Sequence, residues 1–410
     1  MSELSYLEKL LDGVEVEWKT LEDISIKISS GGTPKTGVSE FYDGDIPWLR
    51  TQEVNFCDIW DTEVKITESG VKNSSAKWIP KNCVIVAMYG ATVGKIGINK
   101  IPMTTNQACA NIQLNEEVAH YRYVFHFLCS QYTYIKSLGT GSQTNINAQI
   151  VKNIKIPIPC PENPEKSLAI QSEIVRILDT FSALTAELTA ELTAELNMRK
   201  KQYNYYRDQL LSFKEGEVEW KTLGEVAQYS KTRISFELLD ERNYVGVDNL
   251  LQNRAGKSLS NHVPTSGKLT EFIPNDILIG NIRPYLKKIW QADCIGGTNG
   301  DVLVIRCIDS SINTRYLYQI LADDKFFEYN MQHAKGAKMP RGSKEDIMKY
   351  PIPVPPLTLQ ARIVEILDKF DTLTNSITEG LPREIELRQK QYEYYRDLLF
   401  SFPKPETVSN

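Results

Sequence analysis

The 410-residue sequence lacks the short motifs that commonly mark an enzyme active site. It contains no GxxxxGK[ST] phosphate loop, and no GxGxxG lies between a strand-like and a helix-like segment, so ATP hydrolysis and dinucleotide binding are not indicated. An HExxH pair and a GxSxG nucleophile motif are also missing. We therefore expect no catalytic residue on this chain.

Cysteine, histidine and long apolar runs are scarce as well. Seven cysteines, an odd number without any CxxC, favour reduced thiols over disulfides or a zinc ribbon. The four histidines do not have the spacing of metal ligands, so we expect no metal site. The longest apolar run, at 84–88, is far shorter than the roughly 20 residues that cross a bilayer. Since the first residues do not resemble a signal peptide, we expect a cytoplasmic protein without membrane contact.

The net charge of −5 is unevenly distributed along the chain. Residues 21–155 carry 13 basic and 12 acidic side chains, and residues 224–350 carry 17 basic and 15 acidic ones. The remaining segments carry 17 basic and 25 acidic side chains, a net of −8. Two nearly neutral to slightly basic blocks therefore alternate with acidic segments, a balance that permits nucleic-acid binding without requiring it.

Three segments of the sequence occur twice. QSEIVRILD at 171–179 returns as QARIVEILD at 360–368, and KQYNYYRD at 201–208 returns as KQYEYYRD at 390–397, both 189 positions later. VEWKTL at 16–21 returns as VEWKTL at 218–223. The N-terminal residues thus correspond to the end of a repeat whose beginning lies near the C-terminus. This arrangement indicates a pseudo-twofold, circularly organised molecule.

The repeated segments have the periodicity of coiled-coil helices. Apolar residues from Ile170 to Leu188, and again from Leu359 to Ile377, are spaced by 4, 3, 4, 3 and 4 positions. In the first copy the tetrapeptide Thr-Ala-Glu-Leu follows three times in tandem, at 185–196. We interpret the helices as a ruler between two unlike domains, set by Thr185, Leu188, Leu192 and Leu196. A simple packing or dimerisation pair is the alternative, and Gly380 and Pro382 can kink or divide the second helix.

These features predict an α+β protein with five segments. Two mixed α/β globular domains are separated by two long antiparallel coiled-coil helices. The expected segments are an N-terminal remnant of the repeat (1–20), a first globular domain (21–155), a central helical spacer (156–214), a second globular domain (215–350) and a C-terminal helical spacer (351–410). We expect β-like runs at 83–88 and 302–306, and helices around 118–128 and 314–329.

Loops of both domains interleave small and polar residues with Lys and Arg. Small residues allow a close backbone approach, and Thr, Asn, Gln, Lys and Arg pair with base edges and phosphates. In the first domain we expect DNA contacts from Thr33, Lys35, Arg50, Gln52, Tyr89, Thr92, Lys95, Asn106, Gln107, Gln143 and Asn145. In the second domain we expect them from Asn281, Arg283, Tyr285, Lys287, Lys288, Thr298, Asn299, Lys335, Lys338, Arg341 and Lys344. Any single loop can also be a solvated turn. We expect Trp48, Trp78 and Trp290 in the core.

The combination of motifs resembles the specificity subunit of type I restriction–modification enzymes. The resemblance rests on the duplicated helices, the loop Gly31-Gly32-Thr33-Pro34 followed by Ile46-Pro47-Trp48, the Ile-Pro-Ile-Pro stretch at 156–159 and the Thr-Ala-Glu-Leu tandem. It covers essentially the whole chain, and the tandem is similar to that of the IC-like branch. The target domains are the variable part of this family, so the bases that they read are not implied.

The resemblance implies a non-catalytic role in a larger complex. The two globular domains, 21–155 and 215–350, would be target-recognition domains, each of which reads one half of a bipartite, asymmetric site on double-stranded DNA. The helices would set the spacer and dock two methyltransferase subunits. Restriction subunits would complete an ATP-dependent translocating nuclease. This chain would bind no cofactor itself, because S-adenosylmethionine, ATP and magnesium are used by its partners. A two-headed protein–protein adaptor is the competing interpretation, and an autonomous DNA-modifying enzyme is disfavoured by the missing motifs.

Overall fold

The chain folds as two units, each with one globular domain and parts of two long helices. The computed structural model describes residues 10–11, 13–139, 145–214, 216–376 and 378–403. Unit 1 combines the chain up to Ala186 with the segment from Gln389, and unit 2 comprises Glu187–Arg388. Each unit therefore contains the first half of one long helix and the last part of the other.

The domain of unit 1 is built on two mixed sheets. The larger has the strand order β2-β10-β7-β8-β4, the smaller has β5-β3-β9-β6, and β1 pairs separately with β11. The strands are β1 (Val16–Thr20), β2 (Ser25–Ser30), β3 (Tyr42–Leu49), β4 (Cys57–Ile59), β5 (Lys65–Ile66), β6 (Trp78–Ile79), β7 (Val84–Ala87), β8 (Ile96–Asn99), β9 (Met103–Thr105), β10 (Cys109–Leu114) and β11 (Lys155–Pro159). The helices are α1 (Glu68–Lys72), α2 (Tyr121–Ser130), α3 (Tyr132–Ser137) and α4 (Ala148–Lys152).

The central strand β7 shows why this domain has two hydrophobic clusters. Val84 and Val86 pack in the cluster that includes helix α2, whereas Ile85 and Ala87 pack in the cluster between the two sheets. Successive side chains of a strand point to opposite faces, so a run that is apolar throughout can be buried on both sides. The expected strand at 83–88 is confirmed with nearly the same bounds.

The domain of unit 2 also has two sheets, here with four strands each, in the orders β13-β20-β17-β18 and β14-β16-β19-β15, and β12 pairs with β21. The strands are β12 (Glu219–Thr222), β13 (Ala227–Tyr229), β14 (Arg233–Ser235), β15 (Tyr244–Val245), β16 (Lys268–Phe272), β17 (Ile277–Gly280), β18 (Ile289–Gln291), β19 (Gly296–Thr298), β20 (Val302–Cys307) and β21 (Pro351–Val354). The short helices are α6 (Leu223–Val226), α7 (Thr314–Leu321), α8 (Asp324–Gln332) and α9 (Lys344–Ile347). The single helix expected around 314–329 is thus two helices, because α7 ends at its C-cap Ala322 and Asp323 caps α8 by accepting from Lys325 N.

The long helices are α5 (Pro164–Leu211), α10 (Leu357–Asn375) and α11 (Gly380–Leu399). At 48 residues α5 is about 72 Å long. It begins before the apolar seam because Asn163 Oδ1 accepts from Lys166 N at 3.0 Å and Pro164 suits the first turn. The second copy is divided because Gly380 has a φ of +76°, and a Cβ there would lie 2.5 Å from Thr372 O.

The same aromatic contact occurs once in each unit between the long helices. Phe181 of α5 stacks on Tyr395 of α11 with ring centroids 5.5 Å apart, and Tyr206 of α5 stacks on Phe370 of α10 at the same separation. These pairs are related by the 189-residue offset. The α+β class with two globular domains and paired long helices is confirmed, with the second helix in two parts.

A buried glutamine attaches each domain to its helix. Gln171 Oε1 accepts from His120 N at 2.9 Å, and its Nε2 donates to Val118 O at 3.0 Å. In unit 2, Gln360 Oε1 accepts from Asn313 N at 2.8 Å, and its Nε2 donates to Ser311 O at 2.9 Å. Both glutamines are fully buried.

Replacement of either glutamine by alanine should destabilise the unit that contains it. The variant Gln171→Ala leaves the His120 amide and the Val118 carbonyl without a partner inside the protein, at an expected cost of about 2–4 kcal/mol in free energy of unfolding. Urea denaturation measures this loss. The exposed Gln209 on the same helix supplies the control, since Gln209→Ala should change stability by less than about 0.5 kcal/mol. Equal effects of the two substitutions would contradict the role of Gln171.

Candidate nucleic-acid interface

In unit 1, a glycine-rich loop and the end of strand β9 meet at one edge of the smaller sheet. Gly32 N donates to Thr105 O at 2.9 Å, and the side chains of Thr33 and Gln107 contact each other. The loop also covers Trp48, whose Nε1 donates to Gly32 O at 2.9 Å. Two of the loops predicted to contact DNA therefore form one surface.

Further backbone and side-chain contacts extend this surface to other predicted loops of unit 1. Thr92 Oγ1 donates to Thr51 O at 2.8 Å. Met88 N donates to Ala108 O at 2.8 Å, and Ile146 N donates to Met88 O at 3.0 Å. The loops that follow strands β3, β7 and β9, together with the segment before α4, thus lie side by side. The structure brings together residues that are up to about 110 positions apart in the sequence.

The predicted contacts of unit 1 differ in how accessible they are. The exposed ones are Thr33, Lys35, Gln52, Tyr89 and Gln107. The half-buried ones are Arg50, Thr92, Lys95, Asn106 and Asn145, and Gln143 lies outside the described residues. Arg50 pairs with Glu53 and Glu63, and Lys95 Nζ donates to Asn55 Oδ1 at 2.8 Å. To bind a phosphate, Arg50 would have to give up its ion pairs with these two glutamates. Lys35 has no carboxylate partner among the described residues.

Unit 2 brings three of its predicted loops together in the same way. Arg283 N donates to Pro340 O at 2.7 Å, Gly342 N donates to Asn281 O at 3.1 Å, and Asn281 N donates to Asp301 O at 2.8 Å. The loops after β17 and α8 therefore lie against the turn before β20. This is the most cationic surface among the predicted loops of this domain, since Lys335, Lys338, Arg341 and Lys344 lie on one of its segments.

A strained turn presents an aromatic ring at this surface. Residues Pro284–Leu286 form a single 3-10 turn flanked by Arg283 with a φ of +53° and Lys287 with a φ of +51°. Positive φ is uncommon for residues other than glycine. The turn leaves Tyr285 half exposed.

The predicted contacts of unit 2 also differ in accessibility, and the structure corrects the expectation for two of them. The exposed ones are Arg283, Tyr285, Asn299, Lys335, Lys338, Arg341 and Lys344. Thr298 is fully buried because β19 is an inner strand of its sheet, and Asn281 is nearly so because Gly342 packs against its side chain. Neither side chain is available at the surface. Lys287 Nζ pairs with Asp324 at 2.7 Å, and Lys288 Nζ donates to Val247 O at 2.6 Å.

Charge and exposure further separate these lysines and arginines. Burial lowers the pKa of Lys288. Arg341 remains exposed although its Nη1 donates to Asp301 Oδ1 at 2.7 Å.

Trp78 was expected in the core but is half exposed, because strand β6 is the edge of its sheet. Trp48 is buried as expected.

A charged cluster that the sequence interpretation missed joins the domain of unit 1 to α5. Asp179 accepts from Arg122 Nη2 and from His126 Nε2, both at 2.7 Å, and Arg122 also pairs with Asp58. Burial opposes ionisation of Asp179, but hydrogen bonds from His126 and Arg122 outweigh it and hold its pKa at about 2. The cluster fixes the helix against the domain rather than forming a reactive site.

Unit 2 has a cluster of the same design. Asp368 accepts from Arg315 Nε at 2.8 Å and from Gln319 Nε2 at 2.6 Å, and Arg315 also pairs with Asp371. A short shared pattern, Arg-Tyr followed four residues later by His or Gln, identifies the two helices at 122–126 and 315–319. The two copies of this pattern are 193 residues apart, whereas the repeats in the long helices are 189 residues apart, so the pattern does not coincide with the helix repeat.

Other kinds of site find no support in the part of the chain that the structure describes. No group of three or more His, Cys, Asp and Glu side chains there has the geometry to hold a metal ion. Within the same residues, no helix combines the length and apolar character needed to cross a membrane.

Comparisons with known proteins identify relatives over the whole chain. The model of the "Type I restriction modification DNA specificity domain" matches twice, at residues 13–198 and 215–387. The chain is 41% identical over 423 residues to the type I restriction enzyme EcoR124I/EcoR124II specificity subunit of Escherichia coli, with full coverage of both chains. It is 38% identical to the EcoprrI specificity subunit of Escherichia coli, covering 92% of this chain and 93% of that protein.

A solved structure has the same fold. A chain from a structure described as the basis of complex assembly and conformational transition of the type I R-M system superposes with a TM-score of 0.60. It is 17% identical, and the match covers 94% of this chain and 97% of that one.

Neutralising Asp179 should weaken the attachment of α5 to its domain. A pKa of about 2, below the roughly 3.9 of an unfolded aspartate, means that this stabilisation is present above pH ~4 and is lost as the pH falls through 2. Asp179→Asn should lower the free energy of unfolding at pH 7 by about 1–2 kcal/mol, a value reduced for the exposed third of the side chain.

Urea denaturation at pH 7 and pH 3 tests this difference, which should shrink at the lower pH. Asp208→Asn provides the control, because Asp208 pairs with Lys325 at a site where both side chains are 56% exposed. Its effect should stay below about 0.5 kcal/mol. A loss for Asp179→Asn no larger than that of the control, or one independent of pH, would refute the role of the cluster.

Proposed function

We propose a detailed role for this chain from the premise that it belongs to the type I restriction–modification DNA specificity family, whose model matches both of its repeats. It is a specificity subunit, the DNA-recognition component of a type I restriction–modification complex, and not a catalytic subunit. The adaptor alternative is not favoured. Membership of the IC-like branch stays a prediction.

Each globular domain reads one half of a bipartite, asymmetric sequence on double-stranded DNA. The observation that carries this proposal is the repetition of one scaffold beneath two unlike loop surfaces. The buried glutamine and the aspartate cluster are repeated in both units. The exposed residues at the loop surfaces differ, since one unit presents Thr33, Lys35 and Gln107 and the other presents Arg283, Tyr285 and Lys338. Two identical surfaces would recognise identical half-sites, as in a palindrome, whereas two different surfaces recognise two different half-sites.

The tandem tetrapeptide in α5 sets the length of the spacer between the two half-sites. Thr185, Leu188, Leu192 and Leu196 are half-buried, and the helix continues without a break through all three copies. A continuous helix transmits a change of length along its axis at 1.5 Å per residue. These features support a ruler made of helix rather than of flexible linker.

Two methyltransferase subunits dock on the long helices at equivalent places. Met198 and Tyr205 of α5 are 46% and 60% exposed, and Leu387 and Tyr394 of α11, 189 positions later, are 42% and 65% exposed. Each pair is seven residues apart, so both members lie on one face of their helix. Restriction subunits join this assembly. S-adenosylmethionine, ATP and magnesium serve the partner subunits.

Selection of bound duplexes from a random library identifies the recognised bases and the length of the spacer. The full chain, assembled with its methyltransferase subunits, is used for the selection. The selection should return two unlike half-sites separated by a gap of fixed length. Binding should weaken steeply with salt, because phosphate contacts release counterions. A library without enrichment, or affinity insensitive to salt, would contradict DNA reading and would favour an adaptor.

Deletion of Thr189–Leu192, one tetrapeptide copy, should shorten the selected gap. Four helical residues correspond to about 6 Å, and base pairs rise about 3.4 Å, so the gap should shrink by one or two base pairs. The half-sites themselves should not change. A length-preserving control, Thr189→Ala with Glu191→Ala, should retain the original gap. An unchanged gap in the deletion variant refutes the ruler.

Removal of one exposed tyrosine should weaken one of two methyltransferase sites. Tyr205→Ala and Tyr394→Ala should each reduce the stoichiometry from two methyltransferase subunits to one, at a concentration where the parent chain is saturated, and the double variant should lose both. Native mass spectrometry counts the subunits. The matched control is Tyr134→Ala, because Tyr134 is 55% exposed but lies on α3, outside the repeated helices. Full stoichiometry in the double variant would exclude this surface.

A further inference from the structure

Strand β9 has a tryptophan neighbour on each side. Thr104 pairs with Trp48 of strand β3 and with Trp78 of the edge strand β6. Residues directly opposite each other on neighbouring strands have their side chains on the same face of a sheet. The two indoles therefore belong to one row that crosses the smaller sheet of unit 1.

The two tryptophans differ in what covers them. The loop with Gly31 and Gly32 lies over Trp48, leaves it 6% exposed and accepts its indole hydrogen bond. Trp78 is 50% exposed, and no described residue accepts a hydrogen bond from its Nε1. Half-exposed tryptophan is uncommon on a protein surface that contacts only water, and it is enriched where a partner binds.

Trp78 is continuous with the surface built from Thr33 and Gln107. A Cβ on Gly32 would lie 2.3 Å from the carbonyl carbon of Ser75, so the chain that leads into β6 packs directly against the glycine-rich loop. Lys77 precedes Trp78 and is exposed without an ion pair among the described residues, as is Lys35 on the other side of the loop. Two lysines without an ion pair thus lie in the segments that meet here, Lys77 next to Trp78 in the sequence and Lys35 three residues after Gly32.

The charge of this region indicates the chemistry of what covers Trp78. From Ser69 to Asn115 the sequence contains five lysines and no aspartate or glutamate. An uncovered indole donor in a lysine-rich region without acidic residues suits a polyanion that also has apolar surface. The sugar–phosphate backbone of duplex DNA has both, and phosphate contacts make up much of a protein–DNA interface.

We propose that Trp78 and Lys77 form a DNA-backbone contact of the first domain. The indole packs on a deoxyribose and donates its Nε1–H to a phosphate oxygen, while the Lys77 ammonium neutralises a neighbouring phosphate. This contact positions the duplex against the Thr33 and Gln107 loops and carries no base specificity itself. The inference rests on the proposed DNA-reading function and adds a place where the backbone is held.

Binding of the assembled complex to a duplex with its selected site, and to one with a scrambled site, tests the proposal. Trp78→Ala should weaken binding to both duplexes by about five- to tenfold and leave their ratio unchanged. Trp78→Phe, which keeps a ring but loses the donor, should have a smaller effect. Lys77→Ala should reduce the slope of log affinity against log salt by about 0.9.

Two exposed residues of the same unit serve as matched controls. Trp60 is 65% exposed and follows β4, the edge strand of the larger sheet, whereas Trp78 lies in the smaller sheet. Lys72 is exposed but pairs with Glu68. Trp60→Ala and Lys72→Ala should leave DNA binding unchanged.

The possible outcomes separate this inference from the function on which it rests. DNA affinity of Trp78→Ala equal to that of Trp60→Ala would overturn the contact. Weaker binding of methyltransferase subunits by Trp78→Ala, together with normal DNA affinity of the assembled complex, would overturn it as well, because the indole would then be covered by protein. A change in the ratio between the two duplexes would also overturn it, by making Trp78 a base reader. Absence of site preference in the parent complex would instead refute the DNA-reading function.

Discussion

Attachment of each globular domain to a long helix depends on a fully buried glutamine. A buried amide is costly unless all its groups are paired, and Gln171 and Gln360 meet this requirement only when helix and domain have one relative position. The nearby carboxylates Asp179 and Asp368 add a second constraint on the same helices. Polar pairing, more than the apolar seam, therefore specifies how a helix meets its domain, since apolar contacts alone tolerate small shifts.

Much of the scaffold could be predicted from the sequence because its signals are local and repeated. The seam residues Ile174 and Ile363 are buried, and the aromatic pairs Phe181–Tyr395 and Tyr206–Phe370 obey the 189-residue offset. Helix ends were less predictable. A polar cap at Asn163 extends α5 beyond its seam, a cap at Asp323 divides a helix that periodicity alone joins, and the left-handed Gly380 sets the break that the sequence had left open.

The candidate sites were predictable by residue type but not by exposure. Small and polar loops do meet at one surface in each domain, yet Thr298 is inside a strand and Trp78 is on an edge. Both outcomes depend on which strand lies at the margin of a sheet, and strand order is set by long-range pairing. Periodicity does not report that order. The clusters around Asp179 and Asp368 were missed for a related reason, because their partners lie about 50 positions earlier in the chain.

The break between α10 and α11 gives the two arms unequal tolerance to changes of length. In an antiparallel pair, four residues added to one uninterrupted helix displace every later side chain relative to the opposite helix. An opposite helix that is already in two pieces can take up the displacement at Gly380, so that each piece retains its own aromatic contact. Duplication of a tetrapeptide in α5 is thereby a change that the fold can absorb in a single step. Under the ruler that we propose, such a duplication would lengthen the spacer of the target site without any substitution in the reading loops.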